Sequence, residues 1–129
     1  MGDFRRRVEG IDKLVQTKIQ HADKSLFSAL EPNDILFIDT SHVAKAGSDV
    51  NYLLFEILPI LKPGVLVHIH DIFLPDEYPK KWVIEDGRNW NEQYLVRAFL
   101  QYNPAFEIVW PEKIEVISER DRKCPNFEG

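Results

Sequence analysis

Cysteine, methionine and long apolar runs are scarce in this chain. Its 129 residues include one methionine and one cysteine, Cys124, so an internal disulfide is excluded and a reducing compartment, the cytoplasm, is expected. No apolar stretch approaches the roughly 20 residues that cross a bilayer, and we predict no membrane partner. Acidic residues outnumber basic ones, giving a net charge of −5, so we also predict no nucleic-acid partner.

The chain does contain enough apolar material for a folded domain. Hydrophobic residues make up 44% of the sequence and aromatic residues 12%, a composition typical of globular proteins rather than disordered ones. The length fits one domain with a core of ordinary size. We therefore predict a single domain over residues 1–129, with its core over 14–118 and tails over 1–13 and 119–129.

Two short apolar runs, 34–39 and 64–71, each end in an acid that has a histidine close by. Their nearly unbroken apolar character predicts strands that are covered on both faces in a parallel sheet. Ligands of such sheets bind at the carboxyl ends of the strands. We expect four polar side chains to gather at that edge: Asp39, His42, His70 and Asp71.

The remaining pattern predicts an α/β domain. A helix of about a dozen residues, capped by Ser48 or Asp49, separates the two runs, which implies a parallel pair with a right-handed crossover. Its apolar face consists of Val50, Leu53, Leu54, Ile57, Leu58 and Leu61. The other predicted elements are a strand over 14–19, helices over 24–30 and from Trp90 to Tyr102, a loop over 71–89, and a hairpin formed by 105–110 and 113–118.

The acids at the two strand ends suggest metal chemistry. Strands pair about 5 Å apart, so Asp39 and Asp71 are able to share one hard cation, with His42 and His70 as nitrogen ligands. Simpler interpretations stay open at this point. One alternative is that Asp39 only caps the turn that follows it. Another is that His70 and Asp71 form a purely structural network. His68 is better interpreted as a hydrogen-bonded core residue than as a ligand.

Two sequence motifs resemble the central part of class I S-adenosylmethionine-dependent methyltransferases. In the most similar branch the fourth strand reads FIDSSH and the fifth reads LKPGG followed by HDI. The corresponding residues here are FIDTSH at 37–42, LKPG at 61–64 and HDI at 70–72. The resemblance covers roughly residues 14–110, and the helical segment between the two motifs has a matching length.

The resemblance implies a fold, an activity and a set of site residues. The fold would be an incomplete Rossmann-like methyltransferase domain, mostly parallel, with a carboxyl-terminal antiparallel hairpin. The activity would be methyl transfer from S-adenosylmethionine to a small-molecule acceptor, with Asp39 and His42 as catalytic residues. Asp23 and Asp39 would contact the cofactor. In metal-dependent relatives the positions of Asp39, His70 and Asp71 bind magnesium, so the resemblance also implies a divalent metal, Mg or Mn.

Two family features are missing from this sequence. The family's first strand leads into a glycine-rich turn that holds the cofactor, and its second strand ends in an acid that holds the ribose. The first strand-like run here, 14–19, matches the third strand of the family. We therefore expect a truncated domain that binds S-adenosylmethionine weakly or not at all.

Three functions remain open on the sequence alone. The chain is a methyltransferase completed by a missing or partner-supplied half, a non-catalytic oligomeric module, or a metal-dependent enzyme of another kind that uses Asp39, His70 and Asp71. The run Ile35–Ile38 lacks the charged or proline residues that normally protect a sheet edge. We therefore also expect a homodimer.

Overall fold

A four-stranded sheet with helices on one face forms the centre of the protein. The structure is a computed structural model that describes residues 9–109 and 116–120. The strands are β1 (Ile35–Ile38), β2 (Leu66–Ile69), β3 (Phe106–Ile108) and β4 (Val116–Glu119), in the spatial order β1-β2-β4-β3. β1 and β2 are parallel, and the other two pairs are antiparallel. The predicted fold class is confirmed.

The crossover from β1 to β2 is a helical segment spanning residues 49–60. It begins with α2 (Asp49–Tyr52), widens to a π turn at Leu53–Ile57 and tightens to a 3-10 turn at Leu58–Ile60. Ser48 caps it, because its hydroxyl accepts from the amide of Asn51 at 3.2 Å. Pro59 explains the irregular end, since proline has no amide to donate and crowds the preceding turn.

The core lies between this segment and one face of the sheet. All six apolar residues predicted for the helical face are buried. On β1 and β2 the better-buried side chains alternate with more exposed ones, as the strand period requires. On β4, by contrast, Ile117, Ser118 and Glu119 are all buried. One row on the covered face runs from Leu36 through Val67 and Ile117 to Ile108. The helix α3 (Glu92–Leu100) packs on the same core through Val96.

Gly64 allows the segment before β2 to pack closely against the segment before β1. Gly64, just before β2, has a φ of +88°, and a Cβ on it would lie 2.9 Å from the Cβ of Pro32. Its carbonyl accepts from the amide of Asn33 at 2.9 Å. Only glycine tolerates both the backbone conformation and this contact.

The predicted strand over 14–19 is wrong. Residues 13–16 have no regular structure, a 3-10 turn occupies Ile19–His21, and Leu14 is 65% exposed. The side chain of Gln20 donates to the carbonyl of Gly47 at 2.9 Å, which ties this segment to the loop before α2 rather than to the sheet. Alternating residues form a strand only where a neighbouring strand accepts their backbone bonds.

The expectation that β1 is covered on both faces is also wrong. Ile35 and Phe37 are 66% and 56% exposed, whereas Ile38 on the other face is 6% exposed. Helices cover only one side of the sheet in the described part of the chain. His68 shares the open face with Phe37, with ring centroids 4.9 Å apart, and is half-buried rather than a core residue.

The remaining elements follow the sequence with small shifts. The helix predicted over 24–30 is α1 (Ser25–Ser28), and the loop over 71–89 contains a π turn at Lys81–Glu85. The two strands of the predicted hairpin pair as β3 and β4, and β4 extends to Glu119, one residue into the predicted tail. Within the described residues, no helix is both long and apolar enough to cross a membrane.

Candidate functional site

The carboxyl ends of β1 and β2 bring the predicted acids to one edge of the sheet. Asp39 directly follows β1, and Asp71 lies two residues after β2. The amide of His70 donates to the carbonyl of Ile38 at 2.8 Å, which holds the two ends together. Both His42 and Asp71 have a φ of 62°, a left-handed conformation that non-glycine residues seldom adopt. Such strained residues concentrate at functional sites.

His42 is the centre of this cluster. Its Nε2 lies 3.3 Å from Oδ1 of Asp39 and 4.0 Å from Oδ2 of Asp71. Its Nδ1 lies 3.0 Å from Oε1 of Glu92. The imidazole therefore lies between three carboxylates. Asp39 and Asp71, at the strand ends, face Nε2, and Glu92 faces Nδ1.

The start of α3 holds His42 in place through its backbone. The carbonyl of His42 accepts from the amides of Asn91 at 3.0 Å and Glu92 at 3.2 Å. The side chain of Asn91 makes a reciprocal pair with Ala44, accepting from its amide at 2.6 Å and donating to its carbonyl at 3.1 Å. Trp90 stacks on the imidazole with ring centroids 4.0 Å apart. The histidine is thus fixed on one flank by an indole and along its backbone by a helix start.

Glu92 is a buried acid that the sequence analysis did not identify. It is 3% exposed, and its Oε2 accepts from the hydroxyl of Thr40 at 2.5 Å. Burial raises the pKa of the Glu92 carboxyl, and the hydrogen bonds from Thr40 and His42 oppose that rise without cancelling it. Its position in the first turn of α3 favours the ionised form to some degree, because the positive end of the helix dipole lies there.

Asp49 forms a second polar contact at the same edge. Its carboxylate accepts from the amide of Ser41 at 2.8 Å and from the Ser41 hydroxyl at 2.5 Å. Burial alone would raise the pKa of Asp49, but these bonds and one from the amide of Val50 outweigh it, so the pKa lies below its ordinary value. Asp49 therefore stays ionised beside Asp39 and Thr40.

His70 is placed on the other side of Asp71 from His42. Its Nε2 lies 3.5 Å from Oδ1 of Asp71, and its ring faces Phe37 with centroids 5.7 Å apart. Among the described residues, no group of three or more histidine, cysteine, aspartate or glutamate side chains is arranged to hold a metal ion. Metal binding by Asp39, His70 and Asp71 remains a prediction.

Asp23 lies at the surface, two residues before the start of α1. Its Oδ1 accepts from the amide of Ser25 at 2.9 Å, and the hydrogen bonds from Ser25 hold the pKa of Asp23 below its ordinary value. This contact satisfies a free amide at the start of a helix. A cofactor contact by Asp23 remains a prediction.

Aromatic side chains form a wall beside His42. Trp82 and Trp90 meet edge to face with centroids 5.1 Å apart, and the guanidinium of Arg88 lies 4.1 Å from Trp82 and 4.9 Å from Trp90. Tyr78 packs against Trp90 and accepts from the amide of Gln93 at 3.0 Å. Burial raises the pKa of Tyr78 to about 12, so its hydroxyl is neutral at physiological pH.

A cavity of about 200 Å³ opens at the edge of β1. Its apolar lining includes Ile19, Phe27, Leu36, Ile38 and Leu53, and its polar lining is Asp39, Thr40 and Asp49. A second cavity of about 570 Å³ shares Ile19 and Asp49 with it. This combination of an apolar floor and carboxylates suits a ligand that has a flat apolar ring and a positive charge.

Three contributors to this site escaped the sequence analysis or were interpreted differently there. The sequence placed Trp90 only at the start of a predicted helix, whereas its ring stacks on His42, and it suggested Asp49 only as a cap, whereas its carboxylate accepts from Ser41. Glu92 gave one signal, an acid at the start of an amphipathic helix. That pattern usually marks a solvated residue in a favourable helix dipole.

Comparison with known proteins agrees with the sequence resemblance. A family model described as a methyltransferase domain matches residues 2–72, more than half of the chain. The match contains β1, β2 and three residues of the cluster, Asp39, His42 and Asp71, and ends before Glu92. No curated protein and no solved structure matches the chain. The strand ends, the crossover and this match together show that the chain belongs to the methyltransferase-domain family.

Proposed function

We propose that this chain takes part in S-adenosylmethionine-dependent methyl transfer to a small-molecule acceptor, at the carboxyl ends of β1 and β2. The observation that supports this most strongly is the cavity at the end of β1. Its apolar residues suit an adenine ring, and its acids, Asp39 and Asp49, suit the positive charges of the cofactor. Family membership supplies the reaction class.

The size of the cavity limits how much of the cofactor it holds. Small-molecule sites usually enclose about 300–1,000 Å³, and this cavity encloses about 200 Å³. It therefore accommodates only one part of the ligand. The rest of the ligand would extend into the adjoining cavity, which shares Ile19 and Asp49 with the first. When bound, the cofactor supplies a methyl group on a positively charged sulfur.

The residues of the chain orient the acceptor and take up its proton. Asp39 has a side chain that is 58% exposed and stands in front of Nε2 of His42, so an acceptor hydroxyl placed there contacts both catalytic residues. Methyl transfer depends mainly on such positioning. The acids around the site repel anionic acceptors, and the wall formed by Trp82 and Trp90 favours an acceptor with an apolar face.

Amide chemical-shift mapping with S-adenosylmethionine tests this function. We expect the cofactor at millimolar concentration to shift the amides of residues 36–40 and of Asp49. Asp39→Ala should abolish these shifts. The control is Asp34→Ala at the other end of β1, where the carboxylate accepts from the amide of Glu31. Shifts that are absent, or that persist in Asp39→Ala, would overturn the proposal.

An oligomeric module is the second candidate, because β1 has a neighbour on only one side among the described residues. Its open face carries Ile35 and Phe37. A bare strand with exposed apolar side chains is a template for pairing with another chain. Pairing along this edge would compete with the cofactor, because Phe37 also lines the cavity at the edge of β1.

A further inference from the structure

A groove beside the second half of α3 is separate from the site at the strand ends. It encloses about 250 Å³ and is lined by Leu74, Pro75, Arg97, Leu100, Gln101 and Ile108. None of these residues lines either of the two cavities that share Asp49. Glu92 and Leu100 are the two ends of α3, which places the groove about 12 Å of helix away from the contacts to His42. The proposed methyl transfer therefore does not account for this groove.

The apolar floor of the groove is held by the core. Leu74 is 5% exposed and belongs to the core, and Leu100 packs against the same core. Pro75 and Ile108 are exposed and line the groove closer to solvent. Because its floor is fixed by packing, the groove exists before any ligand binds, and binding costs little ordering of the protein.

Arg97 is the one charged residue in the lining of this groove. Within residues 9–109 and 116–120, no hydrogen bond, ion pair or ring contact engages its side chain. Arg88, by contrast, lies 3.7 Å from Asp86 and stacks on two indoles. A cation in the last turn of a helix also stabilises the helix dipole, but that role needs no apolar groove around it. The guanidinium is thus available to an anion.

We propose that the groove is a second ligand site, which binds a small carboxylate with an apolar tail. The guanidinium of Arg97 presents two parallel N–H donors to a carboxylate, and the side-chain amide of Gln101 is a further donor in the lining. The four apolar residues cover the tail. This inference does not depend on methyl transfer.

Charge and size both restrict the ligand. The cavity at the edge of β1 has acids in its lining, Asp39 and Asp49, whereas this groove has only a cation. The two sites therefore select ligands of opposite charge. The volume of about 250 Å³ lies below the roughly 300–1,000 Å³ of sites for drug-sized molecules, so the tail is short, with about six carbons.

Amide chemical-shift mapping of the full chain with hexanoate at neutral pH tests the site. We expect saturable shifts at Leu74, Arg97, Gln101 and Ile108, with a Kd of about 1 mM. The amides of residues 36–40 should not move. Hexanamide has a similar tail without the charge, and it should bind about tenfold more weakly, because it lacks the charge-assisted bond.

Variants at the exposed Arg97 separate charge from apolar contact. Arg97→Gln should weaken hexanoate binding about tenfold and leave hexanamide binding unchanged. Arg97→Lys keeps the charge but loses the paired donors, so its affinity for hexanoate should lie between those of the wild type and Arg97→Gln. Lys80→Gln, which removes an exposed cation outside the groove, should have no effect on either ligand.

Four results would each overturn the proposal. Hexanoate produces no saturable shifts in the wild-type chain, or hexanamide binds as tightly as hexanoate. Folded Arg97→Gln keeps the wild-type affinity for hexanoate. Finally, hexanoate lowers the mass measured by light scattering, which would show that a second copy of the chain occupies the groove.

Discussion

The two faces of the sheet differ more than their sequences suggest. On β1 both faces present large apolar residues, Leu36 and Ile38 on one and Ile35 and Phe37 on the other. The first pair packs into the core with α2 and α3, whereas the second pair is exposed. The catalytic candidates are held from the covered side, where Glu92 and Trp90 contact His42. Stability and site geometry therefore both depend on the covered face, which leaves the open face available for another chain.

The largest expected effect is the difference in unfolding free energy between alanine variants at two isoleucines of β1. Ile38→Ala should lower the free energy of unfolding by about 2–5 kcal/mol, because it removes buried methyl groups and leaves a cavity. Ile35→Ala removes the same atoms from an exposed position and should change stability by no more than about 0.5 kcal/mol. Urea unfolding of both variants measures the difference. Equal losses would mean that the open face is covered in solution.

Assembly is the next comparison. We propose that the open face mediates a homodimer, since burying Ile35 and Phe37 and pairing the β1 edge both favour association. Light scattering should give about twice the chain mass of 15.1 kDa. Phe37→Asp should reduce the mass to that of one chain, and Phe55→Asp, at another exposed phenylalanine, should not. A wild-type mass near 15.1 kDa throughout a wide dilution series would contradict the proposal.

A smaller effect is the pH dependence of stability that is due to Glu92, the buried acid beside His42. Because burial raises the pKa of Glu92 in the folded state, its stabilising contribution is complete below the ordinary value of 4.5 and is lost as pH rises through the higher folded value. The stability of Glu92→Gln relative to wild type should therefore increase over that range. Unfolding at several pH values measures this, with Glu85→Gln as the baseline. A difference that is constant with pH would contradict the assigned direction.

Much of the fold was predictable, because it depends on local patterns. The apolar runs before Asp39 and Asp71 predicted β1 and β2, and the helical spacing between them predicted all six buried residues of the crossover. The strand over 14–19 failed because an alternating pattern does not create the neighbour that a strand needs. The exposure of Phe37 was hidden for the same reason, since a strand's own residues do not show which faces have helices to cover them.

Only the part of the site that lies at the strand ends was predictable. Asp39, His42 and Asp71 lie at strand ends, where topology alone brings residues together. The contact between His42 and Glu92 joins positions 50 residues apart, and it depends on how α3 packs against the loop after β1. No spacing in the sequence specifies that packing. The acid at position 92 therefore looked like an ordinary first-turn residue.

Isothermal titration with S-adenosylmethionine tests the central claim most directly, namely that the chain holds the strand-end part of a methyltransferase site without a glycine-rich turn. Before Gly47 its only glycines are Gly2 and Gly10, and the cavity at β1 is smaller than a whole cofactor site. We predict a Kd between about 100 µM and about 1 mM, which is weaker than the ~−8 kcal/mol of a micromolar complex and reaches the ~−4 kcal/mol of a millimolar one. A Kd in the low micromolar range would contradict the account.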